Sequence, residues 1–201
     1  MFVAEDPDPA LLSGVDGLER PLATGQLELV PIDAVYGSGK AFSASAQLAT
    51  FEGVLADALA DGYGGIRVVA DNTPLVRGDE ESFHRWLAWE QLTDRFQAVS
   101  MVTGVCFFDH AALSDERQAD LAAIHPVRSA SIGEPPFSVF SDGDAVSVTG
   151  TLDASSAERF RRILGTAPVD RPLVVDLSGT KFVDHDPLLV LAESASPVFR
   201  G

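Results

Sequence analysis

The chain has 201 residues, 46% of them hydrophobic, which allows one large or two small domains and excludes wholesale disorder. Thirty acidic residues against fourteen Lys and Arg give a formal charge of −16, a field that repels phosphate backbones and anionic lipids and speaks against direct nucleic-acid binding. The single cysteine, Cys106, excludes an intramolecular disulfide and a cysteine-rich zinc site.

The N-terminal stretch Met1–Asp6 lacks a basic region and a long apolar core, so no signal peptide is expected. No apolar run approaches the roughly 20 residues needed to cross a bilayer, and a cytoplasmic chain is expected. Gln26 to Ile32 reads as a strand, with Leu27 and Leu29 alternating with Glu28 and Val30. Ser43 or Ser45 caps a helix reaching about Asp61, whose apolar face is Leu48, Phe51, Leu55 and Leu59 and which Gly62 stops. Ile66 to Ala70 is a short buried strand. A helix from about Asp79 to Phe96 follows, with Asp79, Glu80 and Glu81 at its positive end. Val99 to Phe108 is another strand. Ser114 caps a helix to about Ile124, ended by His125-Pro126.

The stretch 127–136 has no period and reads as a linker. Beyond it, Phe137–Phe140 and Ala145–Thr149 flank Asp142-Gly143, a hairpin signal. Asp153 or Ser155 caps a helix carrying Ala157, Phe160, Ile163 and Leu164. Pro172 to Leu177 is a buried strand, followed by Phe182-Val183. Asp186-Pro187 is read as a helix start with Asp186 as N-cap, and that helix ends before Pro197. The alternation of strands and helices predicts an α/β chain.

Three stretches in residues 22–126 carry a resemblance: Gly25-Gln26-Leu27 leading to Tyr36 and Phe42, then Gly62 to Val68, then Val105-Cys106-Phe107-Phe108-Asp109 with His125-Pro126. Together they resemble the sensory domain of methanogen and methylotroph regulators (the MEDS domain). The resemblance implies a RecA-like three-layer α/β fold, truncated at its N-terminus over residues 1–126, that senses small, often hydrocarbon-derived, ligands. The candidate pocket residues are Tyr36, Arg67, Glu90 and Cys106. Glu90 falls on a helical apolar stripe between Phe83, Trp86 and Leu87, where a carboxylate needs a partner. Arg67 on its strand is the expected one, either as a structural ion pair or as a polar anchor for a ligand.

A second resemblance covers residues 137–201. Gly150-Thr151-Leu152-Asp153, and Leu173 to Ser178 followed by Phe182-Val183-Asp184, are similar to the front of a STAS domain, the fold of anti-sigma-factor antagonists, here C-terminally shortened. It implies a docking surface for an anti-sigma factor or other regulatory protein at Asp153, Asp184, His185 and Asp186. In that family the loop carries a phosphorylated hydroxyl where Asp186 stands. A carboxylate cannot be a serine kinase substrate, so Asp186 is either a plain helix cap or a fixed charge imitating the phosphorylated state.

Gly37-Ser38-Gly39-Lys40 falls short of a phosphate loop, because Ala34 stands where the first glycine belongs and Ala41 where the Mg²⁺-ligating hydroxyl belongs. Cys106 lies in an apolar strand with no assignable base, and His84, His110, His125 and His185 show no metal-ligand spacing. The expectation is a non-enzymatic signalling regulator without cofactor or metal, not membrane-bound, with a small organic ligand and a protein partner; homo-oligomerisation is compatible with it. The rival readings are a RecA-like nucleotide-binding ATPase and a non-catalytic dimerisation module.

Overall fold

A computed structural model describes residues 1–37, 43–129, 133–142, 145–167, 174–194 and 198–200. The phosphate-loop-like Ser38–Lys40 and Ala41, together with Phe42, the hairpin Gly143, Pro172, Leu173 and Pro197, lie outside the described residues. The chain is α/β. In order it runs β1 (Phe2–Ala4), a 3-10 turn (Pro9–Leu12), α1 (Glu19–Ala23), β2 (Leu29–Pro31), α2 (Ile32–Tyr36), α3 (Ala44–Ala60), β3 (Ile66–Asp71), α4 (Thr73–Val76), α5 (Glu80–Val99) and β4 (Val102–Phe107). A 3-10 turn (His110–Ala112) leads to α6 (Asp115–Ile124), β5 (Phe137–Asp142), β6 (Ala145–Leu152), a 3-10 turn (Ala154–Ser156), α7 (Ala157–Gly165), β7 (Val174–Val183), α8 (His185–Glu193) and β8 (Val198–Arg200). Among the described residues no helix is long and apolar enough to cross a membrane.

Two compact units result. The first comprises Met1–Phe83 with Ser100–Ala112, the second His84–Val99 with Leu113–Gly201. The boundary therefore falls inside α5, between Phe83 and His84, and α6 lies in the second unit, although both helices precede the 127–136 stretch.

The first unit is built on a parallel sheet of order β2-β1-β3-β4. Period-two alternation puts Val3, Val68, Ala70 and Val102 on one face, all buried, while Arg67, Val105 and Phe107 on the other are exposed. The Ser43 hydroxyl accepts the Ala46 amide and starts α3 as its cap. Phe51 on α3 is buried against Tyr36, ring centroids 6.3 Å apart. The strand expected over Gln26–Ile32 is shorter, because Ile32 opens α2 and turns Ile32, Val35 and Tyr36 inward at helical spacing. Helix α5 runs to Val99, three residues beyond its expected end, and β4 starts correspondingly late, at Val102.

The second unit holds a mixed sheet of order β5-β6-β7-β8, with β5 antiparallel to β6 and the other pairs parallel. Its core gathers Phe137, Val139, Val148, Leu152, Val175 and Leu191 from the sheet and α8 with Phe160 and Ile163 from α7. Phe137 and Phe160 meet edge to face at 5.7 Å. Among the described residues, Val174–Leu177 and Phe182-Val183 belong to one strand, because two register shifts, opposite Ser147/Thr149 and Gly150/Thr151, each leave one extra residue on β7 and keep it paired to Val183.

Candidate functional site

Strands β6 and β7 run parallel and end together, with Leu152 beside Val183 in register and the Asp184 amide donating to the Leu152 carbonyl at 2.7 Å. Each strand is followed by an aspartate that starts the next helical segment. Asp153 accepts from the Ser156 amide (3.0 Å) and from the hydroxyls of Ser155 (2.7 Å) and Ser156 (2.9 Å). Asp184 accepts the His185 amide at 2.7 Å and caps α8. The two sequence-expected positions thus converge at the carboxyl ends of adjacent parallel strands, where α/β sheets present their binding surfaces.

The hydroxyls of Ser155 and Ser156 hold the Asp153 carboxyl below its ordinary pKa. Asp186 does not cap the helix, as the sequence suggested. Asp184 takes that role, so Asp186 is an exposed acid in the first turn and Pro187 stands in the same turn, where its missing N–H costs nothing. His185, also exposed, is the first helical residue. Around these groups the side chains of Phe182 (52% exposed), Leu188 (47%) and Leu189 (46%) stand open to solvent. Three large apolar groups within eight residues thus stand exposed close in sequence to Asp184, His185 and Asp186.

The other candidate residues divide between the two units. Tyr36 is buried at the end of α2, Arg67 is exposed on β3, and Cys106 is half-buried on β4 in register with Ala70, all in the first unit. Glu90 lies buried on α5 in the second unit. Arg67, expected as a buried partner for Glu90, is exposed on β3. Glu90 has a carboxylate oxygen 3.8 Å from His125 Nε2, and His125 Nδ1 is 2.7 Å from the Leu121 carbonyl in α6.

A further polar cluster in the second unit escaped sequence reading. Asp120, 1% exposed on α6, accepts from Arg159 Nε (3.0 Å) and from Arg162 Nε (2.7 Å) and Nη2 (3.0 Å) on α7. Gln91 on α5 donates to the Ile163 carbonyl (2.8 Å) and to the Thr166 hydroxyl. Asp94 on α5 accepts the Ser141 amide, and burial raises its pKa above the ordinary value despite that bond. The available signal was weak: two arginines three apart on α7 and an acid amid apolar residues on α6.

The fold is thus an α/β chain in two compact units. The family model described as the MEthanogen/methylotroph, DcmR Sensory domain (MEDS) matches residues 5–126, more than half the chain, and the chain belongs to that family. Membership carries a sensory role in signalling. No curated protein and no solved structure matches the chain.

Proposed function

We propose that the chain is a signalling regulator in which the MEDS segment senses a small organic ligand and the region from Phe137 onward, a STAS-type module, docks a regulatory protein. The truncated RecA-like fold and the partial STAS fold are part of this reading. So is its action by binding without covalent turnover in a cytoplasmic setting. The observation that carries it is the exposure of Phe182, Leu188 and Leu189 on the segments that flank the paired ends of β6 and β7. The partner that fits is an anti-sigma factor of the ATPase type, which makes the chain an antagonist of that factor. Asp186 supplies a permanent negative charge in the first turn of α8, where the helix dipole favours it by about 0.3–1 kcal/mol.

Calorimetric titration of the full chain with such an anti-sigma factor from the same genome tests this. Binding is expected, and Leu188→Glu with Leu189→Glu weakens it at least about tenfold. Asp186→Ser is expected to take up phosphate from the anti-sigma factor's kinase activity. Absence of binding, or nucleotide hydrolysis by the chain alone, overturns the reading.

A further inference from the structure

The turn that starts α7 follows β6 where that strand ends beside β7, next to the start of α8, and α7 is held by helices of the family-matched segment. Its middle is gripped by Asp120 of α6 through Arg159 and Arg162, and the Arg162 guanidinium also reaches Glu116 at 2.9 Å. Near its C-terminal end Gln91 of α5 donates to the Ile163 carbonyl (2.8 Å), which also accepts from the Thr166 amide (3.1 Å) and hydroxyl (2.8 Å). Its N-terminal end is the Asp153–Ser156 turn of the docking surface. Arg161 on α7 pairs with Glu193 on α8, so the helix that carries Leu188 and Leu189 is tied to the same element. Asp94 of α5 and Arg128, just past α6, bond to Ser141 and Ser138 of β5 in addition.

We propose that α5 and α6 form a clamp on α7 through Gln91 and Asp120, and that the sensory segment sets the position of the docking surface by moving this clamp. The inference rests on the docking reading given above and names how that surface is regulated. Apolar packing would hold α7 as firmly as a buried ion triad, and often more so. What the triad adds is obligatory coupling. With Asp120 sealed from water, a shift of α6 must carry Arg159 and Arg162 along, because a buried unpaired charge is strongly disfavoured. Both clamp helices lie within residues 5–126, so a ligand that repositions either one delivers the movement to α7. The nine-residue α7 transmits it as a rigid rod to the Asp153 turn and, through Arg161, to α8.

Hydrogen-exchange mass spectrometry on the full chain, with neither ligand nor partner added, tests the clamp. In Asp120→Asn, amides of residues 154–165 and 184–189 are expected to exchange at least about tenfold faster, while β1, β3 and β4 keep their wild-type rates. Arg159→Lys with Arg162→Lys keeps the charges but loses the fork, and is expected to fall between the two. This second variant keeps the test open if Asp120→Asn fails to fold. Wild-type exchange at 154–165 and 184–189 overturns the proposal. So does an equal acceleration in every strand of both units, which marks plain destabilisation. No partner enters this measurement, so a failed titration leaves the clamp standing and a failed clamp leaves the titration to be judged alone.

Discussion

Asp94 and Asp153 both accept a backbone amide hydrogen, yet their surroundings push them in opposite directions. Burial raises the Asp94 pKa above its ordinary 3.8, whereas the Ser155 and Ser156 hydroxyls lower that of Asp153. A raised folded-state value means that Asp94 stabilises the fold in its protonated form, below about pH 3.8, and that this contribution disappears as pH rises through the raised value. Asp153 does the reverse. Its contribution is present above about 3.8 and is lost as pH falls through its depressed value. Asparagine at position 94 keeps an acceptor oxygen for the Ser141 amide without the buried charge. Asp94→Asn is therefore expected to be at least as stable as wild type at pH 7, with the difference shrinking in acid. Asp153→Asn is expected to lose stability at pH 7, with the loss vanishing only below the ordinary carboxylate range. Urea midpoints at pH 7 and at about pH 3 measure both. An Asp94→Asn protein that is weaker at pH 7 shows instead that the charged hydrogen bond to Ser141 outweighs desolvation.

At the scale of elements, Gly150 shows what a motif residue does physically. Its φ is +92°, and an added Cβ would stand 2.4 Å from the Pro136 carbonyl oxygen and 3.0 Å from Phe137 Cα. The glycine lets β6 shift register next to the start of β5 while Thr151 donates to the same Pro136 carbonyl at 2.7 Å. Gly150→Ala is thus expected to cost about 2 kcal/mol or more, read as a lowered denaturation midpoint at unchanged slope. The glycine of Gly150-Thr151-Leu152-Asp153 was visible in the sequence as part of a pattern; the contact that demands it was not. Local chemistry was well readable elsewhere too. Ser114 caps the helix expected of it, Ser43 rather than Ser45 caps α3, and Asp79, expected as an acid at the positive end of α5, is its cap, because a cap acts within three residues of itself. Asp186 was misjudged for the same local reason, since Asp-Pro is a helix-start signal wherever it stands, while the position of Asp184 is set by pairing of β7 with β6. Short elements such as α4 and β8 carry too few residues for a period to show. The Asp120–Arg159–Arg162 cluster joins positions 39 and 42 apart, which no spacing rule links.

The whole molecule carries separate reporters for its two compact units. Both tryptophans, Trp86 and Trp89, lie buried on the part of α5 that belongs to the second unit, and the lone Cys106 lies half-buried in the first. Tryptophan emission therefore follows the unfolding of the second unit, and the rate of Cys106 thiol labelling follows the first. Each unit has its own sheet and its own buried side chains, and units of that kind open as separate cooperative bodies. Selective destabilisation makes the point testable. Gly65 has φ +147° and leaves no room for a Cβ, which would lie 2.3 Å from the Met101 carbonyl oxygen, a contact internal to the first unit. Gly65→Ala is expected to bring Cys106 labelling to lower urea while the tryptophan transition holds its midpoint, and Gly150→Ala to do the opposite. Added salt should raise both midpoints, because it screens the repulsion within a chain of net charge −16. If either glycine variant moves the two transitions together, the units unfold as one, and the boundary inside α5 has no thermodynamic meaning.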